Sequence, residues 1–388
     1  MTTPIPSKAE RRPRVLHVIT HLDMGGAEMI ALALIDALHT QVDFSLFAVL
    51  RQSSQGAVGR DMVERLERRR VPFRFGVGGF FKSGGVILAA RALARTIAQQ
   101  RPDVVHVHTE IPEMTLAVAC LMSRRVRRTP LLRTVHNGEL WIAWDRLGAW
   151  VTQRLAHGQA VAVSNYAAAA DAAIATSTRR PPATVVYNGI TRPPRVPIGG
   201  APTPVRVLFA GRLVHQKGAD LLPAILSVAH ASTARRDVEV VIAGSGILHD
   251  AVKQGVAGEL PGWNVRMTEP IERLPERLAE HDVVLVPSRF EGFGLLPAEV
   301  LLAGLPVVTT DAPGLDEVIP PEYPFKAAVD NVAALGTHLA AVINDPVEAQ
   351  KTAVRYGDVL AERFSSEVMA SAYLARYRAL GREKGGAD

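Results

Sequence analysis

The chain has 388 residues, 48% of them hydrophobic and 21% charged, which is enough for a large core and too long for one ordinary doubly wound domain. The single cysteine, Cys120, excludes an internal disulfide, and no uncharged apolar run reaches the roughly 18 residues that would span a membrane. With no recognisable secretory signal, these features predict a two-domain protein of a reducing compartment, the cytoplasm.

Basic residues are concentrated in the first half of the chain. Residues 1–200 hold 26 Lys and Arg against 14 Asp and Glu, a balance of +12, and the remaining residues hold 18 against 24, a balance of −6. Arginine clusters occur at Arg68 to Arg70 and at Arg124 to Arg128. The asymmetry fits peripheral binding to the inner, anionic face of a membrane, an acidic acceptor, or simply a solvated helix face. Nucleic acid is disfavoured because aromatic residues, at 5%, do not alternate with the basic ones.

Short apolar runs alternate with amphipathic helix-length stretches from Val15 onward, which predicts strand-helix units and parallel sheets. The predicted strands of the first half are Val15 to Thr20, Phe44 to Val49, Val104 to His108, Leu131 to Val135, Ala160 to Val163 and Thr184 to Tyr187. The proline-containing residues before Val15 are expected to form a disordered start.

The alternation stops between residues 190 and 205, where five prolines and two glycines predict an interdomain linker. The strands predicted after it are Val205 to Ala210, Val238 to Ala243, Val283 to Pro287 and Pro306 to Thr309, and only helices follow Asn331. The sequence thus predicts an α/β protein with two Rossmann-like domains, residues 1–195 and 196–363, whose sheets face each other across a cleft. A last helix, residues 364–388, is expected to pack back on the first domain.

A glycine pair follows the first predicted strand. Gly25 and Gly26 lie where the chain turns from strand to helix, and such a turn can bring backbone amides close to a phosphate. The alternative is an ordinary tight turn.

Two cations follow the strand that ends at Ala210. Arg212 and Lys217 lie in the run Gly-Arg-Leu-Val-His-Gln-Lys-Gly, at the start of a helical pattern. A guanidinium fork and an ammonium together suit a diphosphate and would offset the charge of a leaving nucleotide. The alternative is a pair of solvated loop residues.

Two carboxylates flank a glycine-containing loop near residue 290. Glu291 precedes the turn Gly292-Phe293-Gly294, and Glu299 lies beyond the predicted start of a helix near Leu295, with Pro297 in its first turn. Carboxylates repel phosphate but accept hydrogen bonds from sugar and ribose hydroxyls. The segment therefore predicts a site for an anion bearing a sugar.

At these residues the chain resembles the retaining glycosyltransferases of family four, which have the GT-B fold. The resemblance extends over nearly all of the chain after Val15. It rests on Gly25-Gly26, His136 in TVHNGE, Ser164 in AVSN, Asn188-Gly189, the G-R-L-x-x-x-K-G run from Gly211 to Gly218, and the pair Glu291 and Glu299 eight positions apart.

The resemblance implies that the first domain binds the acceptor and the second binds a nucleotide sugar. It implies that Arg212 and Lys217 bind the diphosphate, that Glu299 holds the ribose hydroxyls, and that Glu291 contacts the transferred sugar. Other donor contacts are implied at Gly25, Gly26, Met267, Thr268, Gly292, Phe293, Gly294 and Leu295. His136 would face the donor sugar near the reacting carbon, although a lone histidine at a strand end is often only a hydrogen-bonded loop residue.

Some positions depart from the family pattern. Ser245, Ile247 and Glu269 are unusual residues for their positions in the family. The segment Ala298-Glu299-Val300 lacks the Glu-Ala pair that is usual in the family. These departures leave the base open, with a UDP-sugar as the favoured donor and no other cofactor. His106 and His108 could suggest a metal, but the sequence offers neither Asp-x-Asp nor a persuasive third ligand, so a metal-independent reaction is expected.

No carboxylate is an obvious nucleophile, so the expected mechanism is the one usually assigned to the family: same-face attack in which the leaving phosphate deprotonates the acceptor hydroxyl. The expected acceptor is sugar-containing or lipid-linked, which would place the enzyme in glycan biosynthesis as a hexosyltransferase. The alternatives are a nucleotide-sugar epimerase of the same fold and a non-catalytic sugar- or lipid-binding protein. A nicotinamide dehydrogenase is disfavoured because G-x-G-x-x-G does not follow the first strand.

Overall fold

A computed structural model describes residues 11–22, 25–51, 57–78, 84–141, 144–174, 180–258 and 260–383. The chain forms two compact units. Unit 1 comprises residues 1–163, 168–186 and 366–388, and unit 2 comprises residues 164–167 and 187–365. The sequence predicted a disordered start before Val15. Residues 1–10 of that segment lie outside the described residues.

Unit 1 contains a seven-stranded sheet in which every neighbouring pair is parallel. Its strands are β1 (Arg14–Ile19), β2 (Asp43–Arg51), β3 (Phe73–Gly78), β4 (Val104–His108), β5 (Leu131–Val135), β6 (Gln159–Ala162) and β7 (Thr184–Val185). The order β3-β2-β1-β4-β5-β6-β7 reverses direction next to β1, as in doubly wound folds.

The connections of this sheet are helical. The helices are α1 (Gly26–Leu38), α2 (Ala57–Arg68), α3 (Gly85–Gln100), α4 (Glu110–Met122), α5 (Arg124–Arg128), α6 (Asp145–Arg154) and α7 (Asn165–Ile174). Such crossover helices are what parallel neighbours require, since a tight turn cannot join two parallel strands.

Unit 2 contains a six-stranded parallel sheet. Its strands are β8 (Val205–Ala210), β9 (Val238–Ala243), β10 (Trp263–Thr268), β11 (Val283–Val286), β12 (Val307–Thr310) and β13 (Lys326–Ala327), in the order β10-β9-β8-β11-β12-β13. Its helices are α8 (Leu222–Ala231), α9 (His249–Val256), α10 (Leu274–Arg277), α11 (Leu295–Leu302), α12 (Val332–Asn344) and α13 (Pro346–Arg363).

The predicted α/β class with two Rossmann-like parallel sheets is confirmed, and so is the helical end of the chain. Three strands escaped the sequence analysis: β3, β10 and β13. All three lie at sheet edges. An edge strand can alternate polar and apolar residues or be very short, so it lacks the continuous apolar run by which the central strands were found.

The last helix, α14 (Ser366–Glu383), belongs to unit 1, where it contacts α1 and β4. Residues 190–204, the predicted linker, form no helix or strand and are grouped with unit 2, with one isolated bridge between Ile190 and Ser365. Among the described residues, no helix is both long enough and apolar enough to cross a membrane.

The core of unit 1 contains polar groups among its aliphatic side chains. His17 on β1 and His106 on β4 are register partners, and His108 lies two residues further along β4. All three are fully buried. Alternation along a strand places His106 and His108 on one face of the sheet, and the hydrogen bond between His106 and Tyr377 of α14 shows that α14 covers that face.

The pH dependence of unit 1 should report these buried histidines. Burial lowers the pKa of His17 from 6.5 to about 3, so this imidazole is neutral in the folded chain and protonates on unfolding below pH 6.5. Because a depressed folded pKa gives stability that is present above the unfolded pKa and is lost as pH falls, His17 should lose about 1 kcal/mol of its contribution between pH 6.5 and 5.5.

The pH dependence of the wild type alone cannot test this. Burial raises the pKa of carboxyls such as Glu113, to about 7, and these groups make the folded state more stable as pH falls, which opposes the effect of His17. The measurement is therefore a difference in free energy of unfolding between wild type and His17→Gln. The destabilisation seen at pH 7.5 should shrink at pH 5.5, whereas Thr115→Val, which removes a buried hydroxyl that does not titrate, should show the same difference at both pH values. A pH-independent difference for His17→Gln would contradict this.

Candidate active site

The loop after β1 carries the predicted glycine pair. Gly25 precedes α1, which begins at Gly26, and the preceding residues 23 and 24 lie outside the described part of the chain. The buried carboxyl of Glu28 accepts hydrogen bonds from the backbone of Thr20 and His21. A Cβ atom on Gly25 would collide with that carboxyl. Glu28 thus ties the start of α1 to the residues that follow β1, and the sequence analysis had not singled it out.

His136 follows β5 directly. Its Nε2 lies 2.9 Å from Nδ1 of His108, the ring is half-buried, and burial lowers its pKa to about 3. His136 is therefore a neutral hydrogen-bonding group rather than a cation.

The buried histidines of β1 and β4 form a group next to His136. One ligand atom from each of His17, His106 and His108 lies within 4.8 Å of the others. The sequence analysis considered His106 and His108 together but not His17, which lies about ninety residues earlier in the chain. Only the pairing of β1 with β4 brings His17 next to the other two rings.

Lys217 and Glu291 form an ion pair in unit 2. Lys217 lies in a 3₁₀ turn (His215–Lys217), and its Nζ donates to Oε1 and Oε2 of Glu291 at 2.6 and 2.8 Å. Ser288 Oγ also donates to Oε1 of Glu291, at 2.8 Å. The structure thus brings the predicted phosphate-binding lysine and sugar-binding carboxylate together, with Glu291 buried and Lys217 half-buried.

The two loops that carry this pair are held together by Arg289, which sequence analysis missed. Its guanidinium donates to both carboxylate oxygens of Asp220 at 2.8 Å and to the carbonyl of His215 at 2.6 Å. Gly218 has a φ of 64°, and a Cβ there would collide with the carbonyl oxygen of Pro287. This position therefore requires glycine for both reasons.

Arg212 lies in the loop between β8 and Lys217 and is exposed. Its Nη2 donates to Oε1 of Gln216 at 2.7 Å, and Gln216 in turn donates to the carbonyl of Phe290 at 3.3 Å. An exposed guanidinium with a neutral partner keeps its charge available for an anion.

The predicted helix start is confirmed, because α11 begins at Leu295 after Gly294, whose φ is 79°. Phe293 is buried and its ring packs against those of Tyr187 and Phe364, with centroids 6.0 and 5.2 Å away. The first amides of α11 have no intrahelical acceptor and carry the positive end of the helix dipole. Gly292 lies in the same loop, next to Glu291.

Glu299 lies one turn into α11. It is half-buried, it has no side-chain hydrogen-bond partner among the described residues, and desolvation raises its pKa to about 7. A carboxyl in this condition lacks the hydroxyl or amide donors that would stabilise its charged form.

A cavity of about 580 Å³ opens at the end of β10. It is lined by Arg266, Thr268, Glu269 and His281, among others. Thr268 Oγ1 and both ring nitrogens of His281 are buried without a hydrogen-bond partner in the described structure. Met267, in contrast, packs its partly buried side chain against the core.

Sequence comparison identifies the family. The family profile described as Glycosyltransferase Family 4 matches residues 24–192, and the profile described as Glycosyl transferases group 1 matches residues 204–345. Together they span most of the chain. The chain belongs to the family-four glycosyltransferases.

Relatives of this glycosyltransferase include glycogen synthase of Mycobacterium tuberculosis, 27% identical over 73% of this chain and 70% of the relative. A 2-deoxystreptamine glucosyltransferase of Streptomyces kanamyceticus is 26% identical over 84% and 90% of the two chains. Among solved structures, Anabaena HepE in complex with UDP-glucose has a TM-score of 0.73 at 17% identity, covering 94% of this chain and 98% of that one. The structural likeness confirms the GT-B fold.

Replacing Glu299 with glutamine should stabilise this glycosyltransferase at high pH while weakening nucleotide binding. Because the folded pKa is raised from 4.5 to about 7, the folded state is destabilised by about 3 kcal/mol at pH 8. This cost grows between pH 4.5 and 7, where the unfolded chain ionises and the folded chain does not, and it is absent below pH 4.5. Glu299→Gln should therefore unfold at higher denaturant concentration than wild type at pH 8 and at a similar one at pH 4.5.

The matched control is Glu362→Gln, at an exposed position of α13. Calorimetric titration with UDP completes the test, since the ribose role predicts weaker binding for Glu299→Gln only. Unchanged stability at pH 8 together with unchanged UDP affinity would contradict both assignments.

Proposed function

We propose that this glycosyltransferase is a retaining, metal-independent hexosyltransferase that uses a UDP-sugar. The bond between the anomeric carbon and the β-phosphate oxygen breaks, the bond to the acceptor oxygen forms on the same face, and the acceptor proton passes to the departing phosphate. The products are UDP and the glycoside. The observation that carries the proposal is the Lys217–Glu291 pair beside the start of α11.

The described site supports a diphosphate in three ways. Lys217 has three N–H donors and uses two on Glu291, so one can still reach a phosphate oxygen. Arg212 offers a fork of donors, and the amides of Gly294 and Leu295 lie at the positive end of α11. These groups supply the electrostatic stabilisation that a divalent ion gives in other transferases.

We assign the remaining donor contacts from the resemblance to the family. Glu291, held by Ser288 and Lys217, would accept hydrogen bonds from the transferred sugar, and Glu299 would accept them from the ribose. The cavity beside Thr268 is the proposed seat of the base, because its unpartnered Oγ1 and the nitrogens of His281 offer hydrogen bonds. In unit 1, the resemblance assigns further contacts to Gly25, Gly26 and His136.

The choice of donor is supported by the proteins that this chain resembles. HepE is a structural neighbour described with UDP, with UDP and glucose, and with UDP-glucose. Relatives named as glycogen synthase, glucosyltransferase and D-inositol 3-phosphate glycosyltransferase support transfer of a hexose to a hydroxyl.

Removing either cation should impair the reaction. Lys217→Ala and Arg212→Ala should each lose about 1.5 to 3 kcal/mol of donor binding or transition-state stabilisation, the range for a hydrogen bond to a charged group. The measurement is UDP release from a panel of UDP-sugars with an acceptor mixture, expressed as kcat/KM. Lys253→Ala, at an exposed position of α9, is the matched control.

Wild-type rates in both variants would show that the donor site is elsewhere. The same assay tests the metal: activity should persist in EDTA, and loss of turnover that magnesium or manganese restores would overturn the metal-independent reaction.

We also propose that unit 1 contacts an anionic membrane surface, where it would reach a lipid-linked acceptor. α5 has four exposed arginines, Arg124, Arg125, Arg127 and Arg128, on a turn capped by Ser123. Directly before it, Leu121 and Met122 are 56% and 43% exposed. Apolar side chains beside a group of cations suit a bilayer interface, to which each cation can contribute about 1 kcal/mol.

Vesicle co-sedimentation should detect this contact. Wild type should bind phosphatidylglycerol vesicles at low salt and release them at high salt, because screening shortens the reach of the charges. The triple change of Arg124, Arg127 and Arg128 to Ser should weaken binding, and it leaves Arg125, which donates to the carbonyl of Ala98, in place.

The control removes three exposed cations from unit 2, as Arg236, Lys253 and Arg355 to Ser, and should keep wild-type binding. No binding of wild type at low salt would leave a soluble acceptor as the alternative.

A further inference from the structure

Seven side chains of unit 1 form one continuous hydrogen-bonded series, which we call the histidine–tyrosine chain. It runs from His136 through His108, His17, Tyr377, His106 and Thr134 to Tyr373. The successive distances are 2.9, 2.8, 3.5, 2.8, 2.7 and 3.0 Å. It joins the end of β5 to β4, β1 and α14.

Each member of the chain has one hydrogen to donate. Burial lowers the pKa of His17 and His136 to about 3 and the pKa of His106 and His108 well below 6.5, so all four rings are neutral and carry a single N–H. The threonine and the two tyrosines each have one O–H. Seven hydrogens thus serve six links, and one hydrogen is left without a link.

The position of the spare hydrogen fixes the direction of every bond. A histidine inside the chain cannot hold it, because both of its nitrogens face a neighbour and two N–H groups would then point at each other. The hydroxyls of Thr134, Tyr373 and Tyr377 are buried and have no further acceptor among the described residues, so a spare hydrogen there would be unsatisfied. His136, at the half-exposed end, is the position that remains.

All six bonds then run the same way, from Tyr373 towards His136. Tyr373 donates to Thr134, Thr134 to Nε2 of His106, and Nδ1 of His106 to Tyr377. Tyr377 donates to Nε2 of His17, Nδ1 of His17 to Nε2 of His108, and Nδ1 of His108 to Nε2 of His136. Every histidine carries its hydrogen on Nδ1.

We infer that this chain holds His136 in one tautomer, with Nε2 accepting from His108 and Nδ1–H free to donate. Tyr373, Thr134, His106, Tyr377, His17 and His108 are therefore positioning residues. Within the proposed function, on which this role rests, His136 offers a fixed hydrogen bond to an oxygen of the transferred sugar. It does not act as a base, since one nitrogen is occupied and the other is protonated, so the acceptor proton goes to the phosphate.

A metal on the same histidines is the competing assignment. Two imidazoles on one tetrahedral zinc, with Zn–N near 2.05 Å, keep their nitrogens about 3.3 Å apart. Nδ1 of His17 and Nε2 of His108 are 2.8 Å apart, which is a hydrogen-bond distance. Both nitrogens of His106 are also taken by hydroxyl partners. The geometry favours the hydrogen-bonded chain.

The test is NMR of the full chain labelled with ¹⁵N-histidine, in which long-range couplings distinguish the Nδ1–H from the Nε2–H tautomer. The His136 signals are assigned by their loss in His136→Gln. In wild type at pH 7.5 we expect Nδ1–H at His136, His108, His17 and His106. An Nε2–H tautomer or an imidazolium at His136, or one equivalent of zinc retained after dialysis, would overturn the inference.

Two isosteric variants test whether the chain sets the tautomer. Tyr377→Phe and Thr134→Val each remove two links, none of them made by His136 itself, and each should convert the single His136 tautomer into a mixture. Tyr356→Phe removes a hydroxyl that donates to the carbonyl of Glu322 in unit 2 and should leave His136 unchanged. A pure Nδ1–H signal in both chain variants would overturn the positioning role.

Activity provides a separate readout. If UDP-sugars are transferred, Tyr377→Phe should lower kcat more than it changes KM for the donor. If the tautomers are as stated but no UDP-sugar is turned over, the proposed function fails while the assignment of the chain stands.

Discussion

Both sheets are wholly parallel, and this constraint decides where chemistry can occur. In a parallel sheet every strand ends at the same edge, so the loops that follow the strands meet there while crossover helices cover the faces. The candidate site residues lie where this constraint predicts. His136 follows β5, Arg212 follows β8, Thr268 ends β10, and Glu291 lies a few residues beyond β11. Their separations along the chain are large, yet each needs only a short loop to reach the edge.

At the edge of unit 2, the dominant interaction is the ion pair of Lys217 with Glu291. Two partly buried charges cost desolvation energy, which is offset here because Ser288 adds a hydrogen bond and Arg289 clamps the two loops through Asp220. The pair is neutral overall, so it holds the carboxylate that we propose to bind the sugar beside the cation that we propose to bind phosphate without repelling an anionic donor. Arg212, which is exposed and donates to the neutral side chain of Gln216, supplies the net positive charge.

Unit 1 uses polar groups in a different way. Its core contains a hydrogen-bonded series of histidines and tyrosines where an aliphatic core would normally lie, and α14 contributes both tyrosines. The helix at the end of the chain is thereby tied to the first strand, although more than 350 residues separate Tyr377 from His17. A polar core of this kind is stable only if each group is satisfied, and that requirement gives the series a single direction.

Sequence alone determined the class of fold and most of the candidate site. Continuous apolar runs predicted the buried central strands. Turns and charges at strand ends predicted an anion site at Arg212, Lys217, Glu291 and Glu299, and the resemblance to the family added their proposed roles toward the donor. The edge strands β3, β10 and β13 were missed, since one-sided burial leaves only a short or alternating pattern.

Only the tertiary structure decided which residues far apart in the chain contact each other. Lys217 and Glu291 were both predicted site residues, but their ion pair depends on how β8 and β11 pair. The contact of Arg289 with Asp220 is likewise visible only in the folded structure. His17 gave no signal beside His106 and His108, because strand register, not spacing along the chain, makes them neighbours. A sequence pattern reports periodicity and local turns, whereas hydrogen-bond partners across a sheet are set by topology and register.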